Sequence, residues 1–529
     1  MGSSNATNSV LEMRRDENLT QLKSRKKPWD VIVIGGGASG LGAAVDSASR
    51  GHRTLLLEKY DFAKGTSSRS TKLVHGGVRY LQNGDISLVV EALKERGIMR
   101  KNAPHLVQDL SFVIPSYDWW NSPFYGIGLK IYDMMAGKLG LGPSTLLNRD
   151  ETIDLIPNVK KEGLRGGVIY HDGQFDDARM AISLALTATN QGACLMNYFG
   201  VTGLEKKGEM ITGVQAKDMF TGKSYSLEAK VVVNATGVFS DSIMQMDQPE
   251  AKNLITPSQG VHLVLDKKFL NAPHAVMVPH TTDGRVLFAV PWNEYVVVGT
   301  TDTQQEETLV EPLPLDKEID FILKNAGTYM TTTPTRQDVK SVFAGLRPLA
   351  APEDTGTATK EISRHHKVIV STSGLVSILG GKWTTYRKMA EDLINTVQSV
   401  GGLPERTCIT QNLPIYGYDY NSDWSDPLHV YGTDIDKIRS LNCDGNTSLS
   451  NEIHLTPNQI RWAVKQEMAL TVEDVLARRS RSLFLNANES HRLAPTVAKI
   501  MATEMNKSND WINNEIKDFQ ELSLRYQLK

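Results

Sequence analysis

A glycine-rich turn directly after an apolar strand limits the fold of this chain more than any other feature. The apolar run Val31–Ile34 leads into Gly35-Gly36-Gly37-Ala38-Ser39-Gly40, which carries the G-x-G-x-x-G pattern at Gly35, Gly37 and Gly40. Glycines at these positions allow a tight turn, a close approach of the backbone to a ligand, and close packing of the next helix on the strand. The start of that helix offers free N–H groups and a positive dipole to a phosphate.

An acidic residue further along supports this interpretation. Glu58 lies about 20 residues after the glycines, at the end of the second predicted strand, where it can accept hydrogen bonds from a ribose. Strand, glycine turn, helix, strand and acid together predict a Rossmann-like βαβ unit that binds a dinucleotide. This pattern alone does not distinguish NAD from FAD.

Two later turns favour a flavin. The strand Val231-Val232-Val233-Asn234 ends in Ala235-Thr236-Gly237, which predicts a second backbone turn close to the dinucleotide. Gly380-Gly381-Lys382-Trp383-Thr384-Thr385 follows another strand and precedes a helix. Glycines and hydroxyls at such a junction can place N–H groups against the negative charge of a reduced flavin ring.

The overall composition excludes several classes of protein. The sequence has 529 residues, with 58 Lys and Arg against 60 Asp and Glu, so its net charge is −2. This balance argues against a nucleic-acid-binding protein, which is usually basic. Cys194, Cys408 and Cys443 are widely spaced, so neither a disulfide scaffold nor a metal site is expected. No apolar run reaches the roughly 18–20 residues that span a bilayer.

The order of patterns along the chain predicts its organisation. We predict a disordered N-terminal tail over residues 1–28, an α/β unit over 29–405 and a C-terminal helical cap over 406–529. Alternating apolar residues around Thr221-Gly222 and Asp283-Gly284 predict antiparallel hairpins. The second of these belongs to an antiparallel sheet at about residues 251–345, interleaved with the cofactor-binding part. In the cap, Thr456 and Gln459 predict a helix start.

Four motifs resemble one family. They are Ile34–Gly51 (IGGGASGLGAAVDSASRG), Thr66–Leu81 (TSSRSTKLVHGGVRYL), Ala344–Leu349 (AGLRPL) and Gly380–Ala390 (GGKWTTYRKMA). In order and spacing the chain resembles the FAD-dependent, quinone-linked glycerol-3-phosphate dehydrogenases, within the D-amino-acid-oxidase-like flavoproteins. The resemblance implies that fold and FAD as the cofactor. We expect the FAD to be non-covalent, because no obvious Cys or Tyr linkage site appears in the sequence. The resemblance places further cofactor contacts at Thr66, Ser67, Ser70, Thr71, Lys72, His75, Gly76, Val201, Ala235, Thr236, Gly237, Gly381, Lys382 and Thr384.

The resemblance also implies a reaction, the oxidation of sn-glycerol 3-phosphate to dihydroxyacetone phosphate with hydride passing from C2 to flavin N5. A phosphate dianion requires fixed cations, and guanidinium groups suit it best. We therefore expect Arg347 and Lys382 to bind substrate and take part in catalysis. Arg79, Tyr80 and Arg364 are further expected substrate contacts.

The hydroxyl proton released from the substrate requires a base, and a histidine has a suitable pKa. We choose His262, which lies on a predicted strand of the substrate sheet, and take His75 as the second choice. A purely structural histidine is the alternative for either. Thr301 and Asp302 close a nearby strand and are expected beside the active centre.

A membrane quinone is the electron acceptor that the resemblance implies. Residues 117–142 are rich in aromatic residues with nearby lysines, which is typical of a helix at a membrane surface, although a buried core helix has the same composition. Arg478, Arg479 and Arg481 suggest either attraction to anionic lipid or a solvated helix face. We expect a cytoplasmic protein that lies peripherally on the inner face of the cell membrane. The oligomeric state stays open, with a homodimer as one option.

Other functions fit parts of the sequence. An oxidase of the same family would pass electrons to oxygen, but it tends to carry an insertion before the cap that this chain lacks. A flavoprotein acting on an amino acid or a 2-hydroxy acid would also use an arginine to bind its anionic substrate. A carrier protein that has lost its flavin should have a broken glycine pattern or lack the substrate arginines, and here both are intact.

Overall fold

The structure is a computed structural model that describes residues 13–77, 85–118, 121–137, 140–278, 281–350 and 365–528, with only the backbone described for 121–127. Its strands are β1 (Trp29–Ile34), β2 (Thr54–Leu57), β3 (Leu73–Val74), β4 (Val107–Ser116), β5 (Thr145–Asn148), β6 (Gly166–Phe175), β7 (Cys194–Met196), β8 (Phe199–Lys207), β9 (Met210–Asp218), β10 (Ser224–Asn234), β11 (Ile255–Asp266), β12 (Ala275–Val278), β13 (Leu287–Trp292), β14 (Tyr295–Gly299), β15 (Thr303–Gln304), β16 (Val339–Ala350), β17 (His366–Val370) and β18 (Val376–Gly380). Its α-helices are Arg15–Ser24, Ala38–Ser49, Ile86–Asn102, Asn121–Ala136, Arg149–Leu155, Asp177–Asn190, Ser240–Asp247, Asp316–Tyr329, Tyr386–Val400, Ile435–Ser440, Pro457–Gln466, Ser482–Leu485, Ala487–Met505 and Asn509–Ser523, with a π-helical turn at Asp474–Arg479.

The first sheet contains the predicted βαβ unit. Its strands run in the order β17, β18, β10, β1, β2, β7, and β8 and β9 extend it from β10. β1 is paired in parallel with both β10 and β2, and all six of its residues are buried. A parallel strand covered on both faces needs a continuous apolar run, which explains why Val31–Ile34 does not alternate with polar residues. The predicted hairpin at Thr221-Gly222 is confirmed, because β9 and β10 pair antiparallel.

The second sheet is larger than the sequence predicted. Its order is β15, β11, β14, β13, β12, β4, β6, β3, with β16 on β11 and β5 on β6. The predicted limits of about 251–345 are therefore too narrow, since four strands come from residues 73–175 and β16 extends to Ala350. A parallel contact between β4 and β12 joins the two groups of strands, at Ala275 opposite Phe112. Pairing between strands so far apart in sequence leaves no local pattern.

The C-terminal part is helical, as predicted. Thr456 caps the helix Pro457–Gln466 through its side chain, and Gln459 completes the capping box. The cap helices share a core with the second sheet, which contributes Val264, Trp292, Tyr295, Val297 and Phe343 from its strands. The cap thus packs on the face of β11 and β16 that carries Val264 and Phe343.

Residues 13–28 differ from the predicted disordered tail. Arg15–Ser24 is a helix, and its Asn18 side chain donates a 2.8 Å hydrogen bond to the carbonyl of Leu195. Met13 and Leu22 are buried, and Arg15 pairs with Asp218 at 3.0 Å. The prediction is wrong here because the helix lacks an apolar stripe and docks through a few specific contacts instead. Residues 1–12 lie outside the described residues.

The cap arginines also differ from both interpretations offered for them. Arg478, Arg479 and Arg481 are each only 2% exposed. Arg478 and Arg479 both bind the carboxylate of Asp61, and Arg481 pairs with Asp177 at 3.0 Å. Both predictions, a lipid-binding patch and a solvated helix face, are wrong, because the three arginines are buried and paired with carboxylates. They join the cap to the glycine-rich half of the chain.

Candidate cofactor and substrate site

Two adjoining cavities lie where the two sheets meet. The first, of about 340 Å³, opens at the carboxyl end of β1 beside the glycine turn. The second, of about 350 Å³, lies against β11 and β16. Five residues line both cavities: Thr66, Pro348, Gly381, Lys382 and Trp383. The two spaces are therefore parts of one elongated hollow.

The glycine turn is shaped for a phosphate. A Cβ atom on Gly40 would lie 1.9 Å from the carbonyl oxygen of Gly35, so only glycine allows the helix to pack this closely. The helix Ala38–Ser49 begins at Gly37 with no acidic residue in its first turn. Its N-terminus is thus open to an anion.

Glu58 and Ser67 complete this end of the hollow. The Glu58 carboxylate accepts hydrogen bonds from the N–H groups of Gly36 at 2.6 Å and Tyr60 at 2.8 Å. Burial raises the pKa of Glu58. The Ser67 hydroxyl accepts a 2.9 Å hydrogen bond from the N–H of Ala38. An acid, a hydroxyl and a glycine turn at this end of the hollow suit an adenosine diphosphate group.

Most of the predicted cofactor residues line the hollow. Those in the first cavity are Gly35, Gly37, Glu58, Thr66, Ser67, Val201, Ala235, Thr236, Gly237, Gly381 and Lys382. Those in the second cavity are Thr66, Ser70, Thr71, His75, Gly381, Lys382 and Thr384. An elongated hollow of two adjoining cavities, with a dinucleotide turn in the first, fits FAD. Contact of each residue with the cofactor stays a prediction.

Gly40, Lys72 and Gly76 line neither cavity, and Gly40 instead packs against the Gly35 carbonyl. The Lys72 ammonium is buried and pairs with Asp177 at 2.7 Å. The N–H of Gly76 donates to the Tyr132 hydroxyl at 2.8 Å, behind the wall of the chamber. We assign Lys72 and Gly76 to a structural role, in which they hold the loop of the motif Thr66–Leu81 in place.

The floor of the second cavity is set by strand register. β11 and β16 pair antiparallel with Ser258 opposite Arg347 and His262 opposite Phe343. Between these pairs, Gly260 is opposite Gly345. Side chains two and four residues apart on a strand share a face, so His262 and Arg347 face the same chamber. A Cβ on Gly260 would lie 2.5 Å from Nη2 of Arg347, so the missing side chain makes room for the guanidinium.

His262 is held firmly at this floor. Its ring stacks on Phe343 with centroids 4.9 Å apart, and its Nε2 is 2.9 Å from the Thr71 hydroxyl. Burial lowers the pKa of His262 well below its ordinary value, and the positive charges of Lys72 and Arg347 lower it further. The imidazole is therefore neutral near pH 7, with one ring nitrogen unprotonated.

Arg347 lies at the other end of the floor. It donates to the carbonyl of Thr301 at 3.0 Å and to the hydroxyl of Thr300 at 3.2 Å. Asp302 lies 3.8 Å from its Nη1. The segment is fixed from below by the buried carboxylate of Glu318, which accepts a 2.9 Å hydrogen bond from the Thr301 hydroxyl. The expected placement of Thr301 and Asp302 beside the candidate active centre matches this arrangement.

Three charged residues of the chamber were not predicted: Arg69, Asp172 and Arg285. Asp283 accepts a 2.5 Å hydrogen bond from Nε of Arg285 and orients this guanidinium. The sequence did offer a signal for Arg285, since this residue directly follows the predicted turn Asp283-Gly284. Arg69 lies inside the motif Thr66–Leu81, but nothing in the motif separates it from its neighbours. The predicted substrate contacts Arg79, Tyr80 and Arg364 lie outside the described residues.

Among the described residues, no group of three or more His, Cys, Asp or Glu side chains is arranged to hold a metal ion. In the same part of the chain, none of the helices combines the length and the apolar character that crossing a membrane requires.

Comparison with protein-family models gives two matches. Residues 30–387 match the family described as FAD dependent oxidoreductase, and residues 375–511 match the C-terminal domain of alpha-glycerophosphate oxidase. The first match covers more than half of the chain and includes every described residue proposed to contact cofactor or substrate.

Curated relatives agree in their names. The probable mitochondrial glycerol-3-phosphate dehydrogenase of Caenorhabditis elegans is 40% identical over 537 residues, covering 95% of this chain and 74% of that protein. The corresponding protein of Dictyostelium discoideum is 38% identical and covers 96% of this chain and 88% of its own length. The human mitochondrial glycerol-3-phosphate dehydrogenase is 37% identical, over 93% of this chain and 72% of its own.

Solved structures share the fold. The glycerol-3-phosphate dehydrogenase of Bacillus halodurans, solved with FAD, superposes with a TM-score of 0.79 at 29% identity, covering 98% of this chain and 99% of its own. The L-alpha-glycerophosphate oxidase of Mycoplasma pneumoniae has a TM-score of 0.57 at 16% identity, over 72% of this chain and 96% of its own. The second likeness shows the fold alone.

Proposed function

This chain belongs to the family of FAD-dependent glycerol-3-phosphate dehydrogenases, and on that basis we propose that it oxidises sn-glycerol 3-phosphate to dihydroxyacetone phosphate and passes the electrons to a membrane quinone. FAD, when bound in the hollow, supplies the acceptor for the hydride from C2. The observation that carries the proposal is the shared floor of the chamber, with a neutral His262 at one end and the guanidinium of Arg347 at the other.

The charges of the chamber suit a small phosphate ester. The chamber is lined by four cationic groups, Arg69, Arg285, Arg347 and Lys382, against two carboxylates, Asp172 and Asp302. A guanidinium binds phosphate oxygens through two parallel N–H donors. We assign Arg347 and Lys382 to the phosphate end of the substrate, with Arg285 as a further contact. Arg79, Tyr80 and Arg364 remain proposals from the sequence.

His262 is proposed to take the proton of the C2 hydroxyl. The group must be unprotonated before the reaction and must lie at the chamber, and His262 meets both conditions. His75 also lines the chamber, but its backbone is joined to the Thr384 hydroxyl at 3.3 Å, which suits a role in shaping the wall.

An anaerobic absorbance scan tests the substrate assignment. The purified protein should show a flavin spectrum that bleaches when sn-glycerol 3-phosphate is added without oxygen. Glycine and lactate serve as controls for the alternative substrates and should leave the flavin oxidised. A flavin that glycerol 3-phosphate does not reduce would overturn the proposed activity.

The electron acceptor requires a separate experiment. An oxidase of this fold family would release one hydrogen peroxide per turnover, whereas a dehydrogenase should reduce a soluble quinone much faster than oxygen. We expect quinone reduction with little peroxide, because no insertion precedes the cap in this sequence. Stoichiometric peroxide during aerobic turnover would favour the oxidase alternative.

We place the membrane contact on the helix Asn121–Ala136. Leu129 and Tyr132 of this helix are buried, whereas Ile131 is 45% exposed and Met134 80% exposed. One face thus packs in the core, and the other presents apolar side chains as a helix at a membrane surface does. The helix therefore combines the two alternatives that the composition of residues 117–142 left open, a buried core helix and a helix at a membrane surface. The segment's residues 119, 120, 138 and 139 and the side chains of 121–127 lie outside the description.

Vesicle flotation tests this placement. Met134→Lys should reduce the fraction that floats with quinone-containing vesicles of neutral lipid. Met210→Lys is the matched control, since Met210 is 52% exposed but lies on strand β9 of the first sheet. Equal loss in both variants, or no loss in Met134→Lys, would contradict the assignment. The three curated relatives named above are called mitochondrial. The cytoplasmic face of the cell membrane stays a prediction for this chain.

A further inference from the structure

The Thr71 hydroxyl contacts the ring nitrogen of His262 at a distance of 2.9 Å. Both residues line the substrate chamber. Among the described residues, Thr71 Oγ1 has no other hydrogen-bond partner. The contact therefore joins the proposed base to one hydroxyl on a different segment of the chain.

The other ring nitrogen of His262 is in a different situation. Nδ1 is buried and has no hydrogen-bond partner among the residues that the structure describes. Phe343 covers the face of the ring, and the backbone of Gly299 lies against its Cδ2 edge, where a Cβ would be only 2.4 Å away. The ring cannot easily turn to bring Nδ1 to the chamber, so Nε2 is the nitrogen that a substrate can reach.

A neutral imidazole carries one proton, on either Nδ1 or Nε2. If His262 is to accept a proton at Nε2, the resting proton must be on Nδ1. We propose that Thr71 is the positioning residue that selects this form, by donating its hydroxyl hydrogen to Nε2 and keeping that lone pair directed at the chamber. The proposal rests on the function proposed above, in which His262 is the base.

The reason for needing such a residue is the unpartnered Nδ1. A buried N–H without an acceptor is unfavourable. Without the Thr71 hydroxyl, the proton should move to Nε2, where water in the chamber can accept it. The basic lone pair would then lie on Nδ1, out of reach of the substrate.

The transfer itself is simple. A C2 hydroxyl replaces the Thr71 hydroxyl at Nε2 and gives its proton to that lone pair, so His262 becomes an imidazolium. The electron pair of the C2–H bond leaves with the hydride in the reaction proposed above, and the C2–O bond becomes a carbonyl. Thr71 neither gains nor loses a proton.

The loop that carries Thr71 is built to hold this hydroxyl still. Its two neighbours in the chain are both fastened to one carboxylate oxygen of Asp177, Ser70 by its hydroxyl at 2.7 Å and Lys72 by its ammonium at 2.7 Å. Lys72 also has a left-handed backbone with a φ of 64°, which is uncommon outside glycine, asparagine and aspartate. Arg481 of the cap binds the second oxygen of Asp177 at 3.0 Å. The position of Thr71 is thus determined by contacts on both sides.

Two substitutions test the proposal. Thr71→Val removes the hydroxyl at nearly constant volume, and Thr71→Ser retains it. With FAD bound, Thr71→Val should lower kcat for glycerol 3-phosphate at least about tenfold and shift the low-pH limb of the pH–kcat profile. Thr71→Ser should restore both to within about threefold of the wild-type values. A Thr71→Val enzyme with the wild-type kcat and pH profile would overturn the proposal.

A measurement without turnover provides a second readout. Nitrogen-15 NMR of histidine-labelled protein, with the His262 signals assigned from a His262→Gln sample, reports which ring nitrogen carries the proton. We expect the proton on Nδ1 in the wild type and on Nε2 in Thr71→Val. A wild-type proton on Nε2 would overturn the proposal.

Failure of the proposed function would look different. If His262→Gln keeps the wild-type kcat, His262 is not the base, whatever Thr71 does. If His262→Gln is inactive while Thr71→Val is unchanged, only the role of Thr71 is wrong. Where Thr71→Val binds no FAD, the NMR comparison with Thr71→Ser still decides, since it does not depend on cofactor.

Discussion

Lys72 and Asp177 form a fully buried ion pair, with 2.7 Å between Nζ and Oδ2. Asp177 is the first residue of the helix Asp177–Asn190, so a carboxylate at a helix N-terminus holds the loop in front of the substrate chamber. Arg481 reaches the same carboxylate from the cap. Asp177 therefore joins three parts of the protein: the loop that carries Lys72, the helix Asp177–Asn190 and the cap.

Asp177→Asn should therefore be strongly destabilising. Removing the charge leaves Lys72 and Arg481 buried without a full counter-charge, and breaking such a buried network costs about 3–5 kcal/mol. The shift in denaturation midpoint against wild type measures it. Asp320→Asn is the control, because Asp320 pairs with Arg336 at the exposed surface and should cost less than about 1 kcal/mol. Equal effects of the two substitutions would contradict this account.

Arg347→Ala should weaken substrate binding. The variant loses a guanidinium that we assign to the phosphate, so KM for glycerol 3-phosphate should rise at least about 30-fold, with FAD still bound. Arg336→Ala, which removes a surface arginine of the same sheet region, should leave KM unchanged. An unaltered KM in Arg347→Ala would remove this residue from the substrate site.

Glu311→Gln should accelerate the loss of FAD. Glu311 accepts contacts from Lys64 at 2.6 Å, Arg69 at 2.8 Å and Tyr526 at 2.9 Å, and its neighbour Val310 lines the first cavity. The segment before the helix Asp316–Tyr329 is thereby pinned beside the cofactor loop. With the charge gone, we expect the FAD dissociation rate to rise at least about tenfold, measured by the fluorescence of released flavin.

Glu307→Gln is the control for that experiment, since Glu307 lies on the same segment with its side chain exposed. Its FAD dissociation rate should match the wild-type rate. If Glu311→Gln releases FAD no faster than Glu307→Gln does, the contacts of Glu311 do not contribute to FAD binding.

The stability of the cap should depend on pH through Glu515. Burial raises the pKa of Glu515 from 4.5 to about 7, and nearby carboxylates add to the rise. The folded protein binds this proton more tightly than the unfolded chain, so the stabilisation is complete below about pH 4.5 and is lost as the pH rises through about 7. Glu515→Gln keeps an acceptor for the N–H of Val472 and should lose less stability than wild type between about pH 5 and pH 8.

Thermal denaturation at the two pH values measures this difference. Glu521→Gln, on the exposed side of the same helix, should show the wild-type pH dependence. A Glu515→Gln protein whose melting temperature falls with pH as steeply as wild type would contradict the assignment.

The sequence was most informative where a local pattern has a single physical solution. Gly35 to Gly40 permit a backbone that other residues would block, as the 1.9 Å approach at Gly40 illustrates. The apolar run of β1 and the acid Glu58 then predict a buried parallel strand and a ribose contact without reference to the rest of the chain. The capping residues Thr456 and Gln459 predict their helix in the same way.

The sequence was least informative for contacts between distant segments. The docking of Arg15–Ser24 depends on the carbonyl of Leu195, and the burial of Arg478 and Arg479 depends on Asp61. Charge alone predicts a polar surface for such residues, because most arginines are exposed and only a partner carboxylate makes burial affordable. The partner lies more than 400 residues away, so no local pattern can reveal it.

The sequence by itself determined the cofactor fold, the family and the residue types at the site. Only the tertiary structure decided which of them meet. It brought the Thr71 hydroxyl to His262 and the Arg347 guanidinium close to Gly260. It left Gly40, Lys72 and Gly76 outside both cavities. The physical reason is that motifs describe backbone conformation and chemistry along the chain, whereas a site depends on strand register and packing between sheets, which distant residues set together.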